Sequence, residues 1–393
     1  MITREVHNSA TTMTDVENAL SVAGRGELRR ALAATTDPYI NAIPKVELQI
    51  HIEGIISADL KWRFSQRNGQ AIPNPRTGQP FSSLDELRDS HDTLKPRTGN
   101  RMDNSEETLS FFEAYYGGFE VLKTQEDYFD LAMNYYEHAA AMNVRYAEIF
   151  FDPQGHTRVG TSWETMMEGF RRAQRKAEEA LNVKSAWIMC FLRDESPESA
   201  REHYEAALKY RDMIVGIGLD SNEVNRPPSL FDEIFVRARN DGFRLTAHCD
   251  VGKSYPLEHI HQVASSIADT GADRIDHGLN AAGDANLMNL IKEKNLGMTI
   301  CPWSYIRHQP LDEVFQRIRA LFDVGIMIAV ASDDPAFMED TWVLENLLVV
   351  RKYCGFTNFE IQRLAENAIK MCWASEDAKR HMLRELYDID PGT

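Results

Sequence analysis

Cysteine is scarce in this chain. Five of its 393 residues are cysteine (Cys190, Cys249, Cys301, Cys354 and Cys372). No two form a C-x-x-C pair, which excludes a disulfide framework and points to a reducing, cytoplasmic compartment. Positive charge is also short. There are 43 Lys and Arg against 60 Asp and Glu, a formal net charge of −17. Nucleic acid and anionic membranes both require clustered positive charge, so neither is an expected partner. The expected partner is a small-molecule substrate, and a homo-oligomer is left open. The longest apolar run, Ile326 to Ala331, falls far short of the ~20 residues that span a bilayer. The first twenty residues contain no apolar signal region. There is no Gly-x-Gly-x-x-Gly fingerprint and no phosphate loop. What remains is 43% hydrophobic and 26% charged, an ordinary globular composition with ample material for a core.

Eight short β-like runs end in polar residues: Val46–Glu53, Val144–Asp152, Lys184–Asp194, Ile214–Asn222, Phe243–Asp250, Asp273–Asn280, Leu296–Trp303 and Ile326–Asp334. Amphipathic segments of helical length separate most of them. Thr161 with Glu164 reads as a capping box, and Ser196–Pro197 as an N-cap followed by proline at the first helical position. Ser229 reads as the start of a helix over Leu230–Asn240 that Gly242 closes. Asp284–Lys294 and Leu311–Val324 read as further helices. Alternation of this kind predicts parallel βαβ units. Eight units predict an α/β (β/α)8 TIM barrel over residues 41–393, although an open doubly wound sheet carries the same local signature. Residues 1–40 read as an N-terminal extension, partly helical from Val16 to Ala34. A long insertion separates strands one and two, from about Lys61 to Asn143. It reads equally as a lid over the barrel mouth or as a surface excursion. Its Phe111, Phe112, Tyr115, Tyr116 cluster reads as helix core.

The strand ends carry the chemistry. Strand one offers Gln49, His51 and Glu53; strand five His248, Cys249 and Asp250; strand six Asp276 and His277; strand eight Asp333 and Asp334. Gln49 and His51 share a face because strand side chains alternate. If the barrel closes, these groups meet at one rim. Imidazoles with a carboxylate suit a zinc-type divalent ion with a position left for water. Cys249 and Cys301 read as buried packing residues, and Met166 and Met167 as core.

Five segments, in order, resemble the adenosine/adenine deaminase family of the amidohydrolase superfamily. They are Pro44–Lys45–Val46–Glu47–Leu48–Gln49–Ile50–His51–Ile52–Glu53–Gly54, Thr246–Ala247–His248, Arg274–Ile275–Asp276–His277–Gly278, Cys301–Pro302–Trp303–Ser304 and Ser332–Asp333–Asp334–Pro335. The resemblance covers about residues 40 to 385. Glu148–Ile149–Phe150–Phe151–Asp152–Pro153–Gln154 with His156–Thr157, and Gly218–Leu219–Asp220–Ser221, are most similar to the adenine deaminase branch. The resemblance implies a (β/α)8 barrel with one catalytic Zn2+ held by His51, His248 and Asp333. It implies that His277 orients and helps deprotonate the attacking water. It implies that Asp334 bonds the purine N7 edge, that the Ser221 backbone meets N3, and that Asp152 and Asp220 lie near the imidazole edge. The implied reaction is hydrolytic deamination of a 6-aminopurine at C6: adenine, adenosine or a substituted adenine.

Two positions depart from the family pattern. Gln49 stands where the family has the first histidine ligand, and an amide oxygen is a weaker zinc ligand than imidazole. Val251 stands where the family has a general-acid glutamate, a role worth ~10²–10⁴-fold in rate. Asp250 is the favoured substitute, with Glu258 and His259 further on. These departures keep two alternatives in view: a diverged amidohydrolase with another small-molecule substrate, and a catalytically weakened barrel that binds a purine or a protein partner.

Overall fold

The computed structural model describes residues 19–92, 111–249 and 256–392. Eight parallel strands run in chain order around one sheet: β1 (Lys45–His51), β2 (Val144–Phe151), β3 (Lys184–Leu192), β4 (Ile214–Asp220), β5 (Arg244–Cys249), β6 (Arg274–His277), β7 (Gly297–Ile300) and β8 (Met327–Val330). The sheet closes on itself just beyond β8. There the His51 amide donates to the Asp333 carbonyl at 3.1 Å, and the Asp333 amide donates to the Gln49 carbonyl at 3.1 Å. The fold is therefore a (β/α)8 barrel, and the doubly wound alternative is excluded. The bonds that close it belong to three residues expected at the site.

The strands are buried along almost their whole length, as they must be in a sheet covered by helices. The helix Trp163–Leu181 packs its Met166, Met167, Phe170 and Ala173 face against the barrel, and Cys249 and Cys301 are fully buried. Ser196 caps the helix Pro197–Ala207 as expected, and the helix expected over Asp284–Lys294 is Ala285–Glu293, capped by Asp284. Two other expected starts shift. Ser162, not Thr161, accepts the Thr165 amide, because the Thr161 hydroxyl turns to the Leu122 carbonyl at 3.2 Å. Ser229 lies inside a 3-10 turn, Pro228–Phe231, and the α-helix begins at Asp232.

Within the N-terminal segment the described helix is Val22–Ala33, capped by Ser21. Arg25 pairs with Glu339 at 2.8 Å and Arg29 with Asp340 at 3.0 Å, which ties the segment to the loop after β8. Among the described residues no helix is long and apolar enough to cross a membrane.

Candidate active site

The carboxyl ends of the strands hold a fully buried cluster. His51 Nε2 lies 3.0 Å from His248 Nε2 and 3.6 Å from Asp333 Oδ1. His277 Nε2 lies 3.8 Å from the same Asp333 oxygen. Gln49 reaches into the middle of the group, its amide nitrogen 2.8 Å from His277 Nε2 and 3.3 Å from His248 Nε2. The four strands expected to meet, β1, β5, β6 and β8, do meet here.

Each imidazole is held from behind. His51 Nδ1 faces Asp220 at 3.5 Å, His248 Nδ1 faces Asp276 at 3.6 Å, and His277 Nδ1 meets the Tyr305 hydroxyl at 3.0 Å. A carboxylate behind a histidine fixes the ring and raises its basicity, the usual second shell of a metal ligand. Asp276 is itself anchored, accepting from Thr246 Oγ1 at 2.6 Å, with Thr299 Oγ1 3.0 Å away. His51, His248 and Asp333 thus present two imidazole nitrogens and one carboxylate oxygen to a common point. That donor set fits a divalent ion.

Three residues of the site adopt left-handed backbone conformations that are uncommon for non-glycine residues: Ser221 (φ 70), His277 (φ 64) and Asp333 (φ 65). Each such residue costs on the order of 1 kcal/mol or more. The strain falls at the ends of β4, β6 and β8, where each side chain must turn into the mouth. Gly54 meets a related demand. A methyl group there would come within 2.7 Å of the Asp334 Cα, so only glycine lets Asp334 sit against the loop after β1.

A partly open cleft leads from the cluster to solvent, and its walls include His51, His248, Asp152, Asp220, Ser221 and Asp334. The cleft also has an aromatic wall. Phe111, Phe112, Tyr115 and Tyr116 line it, which corrects the reading of this cluster as helix core alone. The Tyr116 hydroxyl donates to Ser221 Oγ at 2.7 Å, and Tyr115 to Asp152 at 3.4 Å. The described part of the insertion therefore walls the mouth. Lys61 secures it. Its buried ammonium donates to the Ala114 carbonyl at 2.9 Å and the Gly117 carbonyl at 2.7 Å.

The site beside His51 is acidic, with ligand atoms of Asp152, Asp220 and His51 within 4.8 Å of one another. Glu53 accepts from the Asp152 amide at 2.9 Å and bonds His156 Nε2 at 2.8 Å. His156 Nδ1 in turn meets the Tyr128 hydroxyl at 2.9 Å. Burial pushes the Glu53 carboxyl up to about 8 and holds the His156 imidazole down at about 3. Burial, then the charges of neighbouring carboxylates, raises Asp152 and Asp220 well above the usual carboxylate range. Glu53 therefore favours its protonated form at neutral pH.

Sequence reasoning missed the supporting groups. Arg193, fully buried, donates to the His248 carbonyl at 2.8 Å. Tyr305, Thr246 and Thr299 hold the histidine frame, and Glu223, also lining the cleft, pairs with His259 at 3.2 Å. Glu258 is exposed. Asp250 and Val251 lie outside the described residues.

The barrel and its rim of imidazoles and carboxylates, a donor set that fits a divalent ion, are those of the amidohydrolase type. The family model described as adenosine deaminase matches residues 44–389. The chain belongs to that family and is a hydrolase acting on carbon–nitrogen bonds, a purine deaminase. It is 39% identical to an uncharacterised deaminase of Schizosaccharomyces pombe, covering 88% of this chain and 96% of the relative. It is 35% identical to an adenine deaminase of Rhodospirillum rubrum, covering 90% and 99%. Among solved structures, an adenine deaminase of Arthrobacter aurescens superposes with a TM-score of 0.78 at 32% identity, covering 88% of this chain and 99% of that one. An amidohydrolase from Burkholderia ambifaria with bound zinc superposes with a TM-score of 0.76 at 25% identity, covering 89% and 91%.

Proposed function

We propose that this protein deaminates a 6-aminopurine, with adenine the leading substrate and adenosine or a substituted adenine next, and that its metal is zinc. The observation that carries the reading is the convergence of His51, His248 and Asp333 on one point, beside a cleft lined by Asp334, Asp152, Asp220 and Ser221. Relatives named adenine deaminases support the choice of base. The ion held by His51, His248 and Asp333, with Gln49 beside it, supplies the Lewis acidity that makes water nucleophilic near neutral pH.

The remaining steps belong to the chain's own residues. His277, its ring fixed by Tyr305, orients the attacking water and accepts its proton. Asp334, positioned against Gly54, hydrogen-bonds the N7 edge of the ring. The Ser221 backbone meets N3, while Asp152 and Asp220 border the imidazole edge. Water oxygen bonds to C6, the exocyclic nitrogen takes the proton held by His277, the bond from C6 to that nitrogen breaks, and it leaves as ammonia. Asp250 is the group assigned to protonate the ring nitrogen where Val251 replaces the family glutamate. The enzyme acts on a small molecule in a cytoplasmic setting, with no nucleic-acid or membrane partner, and a homo-oligomer is compatible with it.

Incubating the purified protein with adenine and following ammonia and hypoxanthine tests the proposal. Stoichiometric appearance of both supports it. Recovery of intact adenine, adenosine and N6-substituted adenine at high enzyme concentration and across zinc loadings overturns it. One observation favours a second reading, a diverged amidohydrolase with another substrate: a glutamine amide, not an imidazole, reaches the centre of the cluster.

A further inference from the structure

Gln49 rests on a hydroxyl group that can hold its amide either way round. Gln49 Oε1 lies 2.5 Å from Thr299 Oγ1, which lies 3.0 Å from Asp276 Oδ1. A threonine hydroxyl has one hydrogen and two acceptor lone pairs. Asp276 sits beside Arg274, 3.6 Å from its Nε, and also takes the hydrogen of Thr246 at 2.6 Å.

In the orientation observed, Thr299 donates to Gln49. The amide nitrogen then faces three acceptors: His277 Nε2 at 2.8 Å, His248 Nε2 at 3.3 Å and Asp333 Oδ1 at 3.4 Å. Rotating the amide by half a turn reverses the chain. Gln49 then donates to Thr299, and Thr299 passes its hydrogen to Asp276. Only the rotated state satisfies the whole Gln49–Thr299–Asp276 chain, because with the amide as placed the single Thr299 hydrogen can serve Gln49 or Asp276 but not both. Amide nitrogen and oxygen are nearly the same size, so the rotation needs no repacking. A cation and an amide N–H cannot share the lone pairs of His248 and Asp333. The occupied site therefore requires the rotated state, in which the carbonyl oxygen points inward.

We propose that Gln49 presents its carbonyl oxygen to the divalent ion, locked in that orientation by the Thr299–Asp276 pair, and that the resulting set of two imidazoles and two oxygens discriminates less strongly for zinc over manganese than an imidazole at position 49 would. The inference rests on the metal-dependent reading above. Its physical ground is ligand hardness: imidazole suits zinc, whereas carbonyl and carboxylate oxygens suit manganese. Absolute affinity still follows the general order, with zinc above manganese. What Gln49 changes is the ratio.

Equilibrium dialysis of the full chain against zinc and against manganese, read by elemental analysis, provides the test. Gln49→His raises the zinc-to-manganese affinity ratio by about tenfold or more. Thr299→Val removes the hydroxyl and weakens both metals by about 10–100-fold, the usual size of a second-shell loss. Thr299→Ser, which keeps the hydroxyl, binds both as the parent does. A ratio unchanged in Gln49→His overturns the proposal, and this arm decides alone if Thr299→Val fails to fold. Parent-like binding by a folded Thr299→Val also overturns it. The test separates this inference from the proposed function. An unchanged ratio in a protein that releases ammonia from adenine defeats only the inference. A changed ratio in a protein that leaves adenine, adenosine and N6-substituted adenine intact defeats only the function.

Discussion

The two sides of the barrel mouth are equally buried and electrostatically opposite. On one side, His51, His248 and His277 have their rear nitrogens held by Asp220, Asp276 and Tyr305, so their front nitrogens face inward. On the other, burial raises the Glu53, Asp152 and Asp220 carboxyls above their ordinary range. The first side is built to surround a cation. The second can both donate and accept, which suits the mixed donor and acceptor edge of a heterocycle. Asp220 belongs to both, since it backs His51 and borders the cleft. Burial alone does not set the charge of a site; the partner behind each group does.

Substitutions on each side should separate these roles, and the largest effect is expected on the imidazole side. Asp333→Ala removes a ligand and also a side chain from the seam that closes the barrel. It should abolish both metal content and ammonia release, and full metal retention would break the comparison. His277→Ala comes next. It should retain metal by elemental analysis but lose about 10²–10⁴-fold in kcat, the usual worth of acid–base help. Asp152→Asn should act on the other side only. Loss of an ordinary hydrogen bond, about 0.5–1.5 kcal/mol, should raise KM by roughly 2–10-fold with metal content unchanged. Metal loss in this variant would show that the two sides are one unit.

The smallest effect lies below the mouth. Glu47, fully buried, accepts from Tyr135 at 2.8 Å and from Ser332, and burial pushes its carboxyl up to about 7. A carboxyl whose folded value is raised contributes stability below its unfolded value near 4.5, and that contribution is lost as pH rises through about 7. The shift corresponds to at most about 3 kcal/mol. Chemical denaturation at pH 5 and pH 8 should show the decline, and Glu47→Gln should flatten it.

The sequence shows one side of this comparison far better than the other. His51, His248, His277, Asp333 and Asp334 were legible because each ends a strand-like run, and closure of the barrel was enough to bring them together. The helix periodicity and the Ser196 cap were legible because both are local. Thr161 and Ser229 misled because a neighbouring serine or a proline-initiated turn offered the same local chemistry. The second shell left no such trace. Arg193 reaches a carbonyl 55 residues away, and Thr299 reaches Gln49 across 250 residues. Hydrogen bonds at those separations follow no periodicity. The aromatic wall was misjudged for a related reason. At helical spacing a ring that lines a cleft and a ring that fills a core look the same, and only the Tyr116–Ser221 contact distinguishes them.

The account depends on His51, His248 and Asp333 holding a metal despite Gln49. Elemental analysis of the protein purified without chelators decides this. About one divalent ion per chain, absent from Asp333→Ala, is the expected result. A protein that stays free of metal after incubation with zinc or manganese, while folded, would contradict the account.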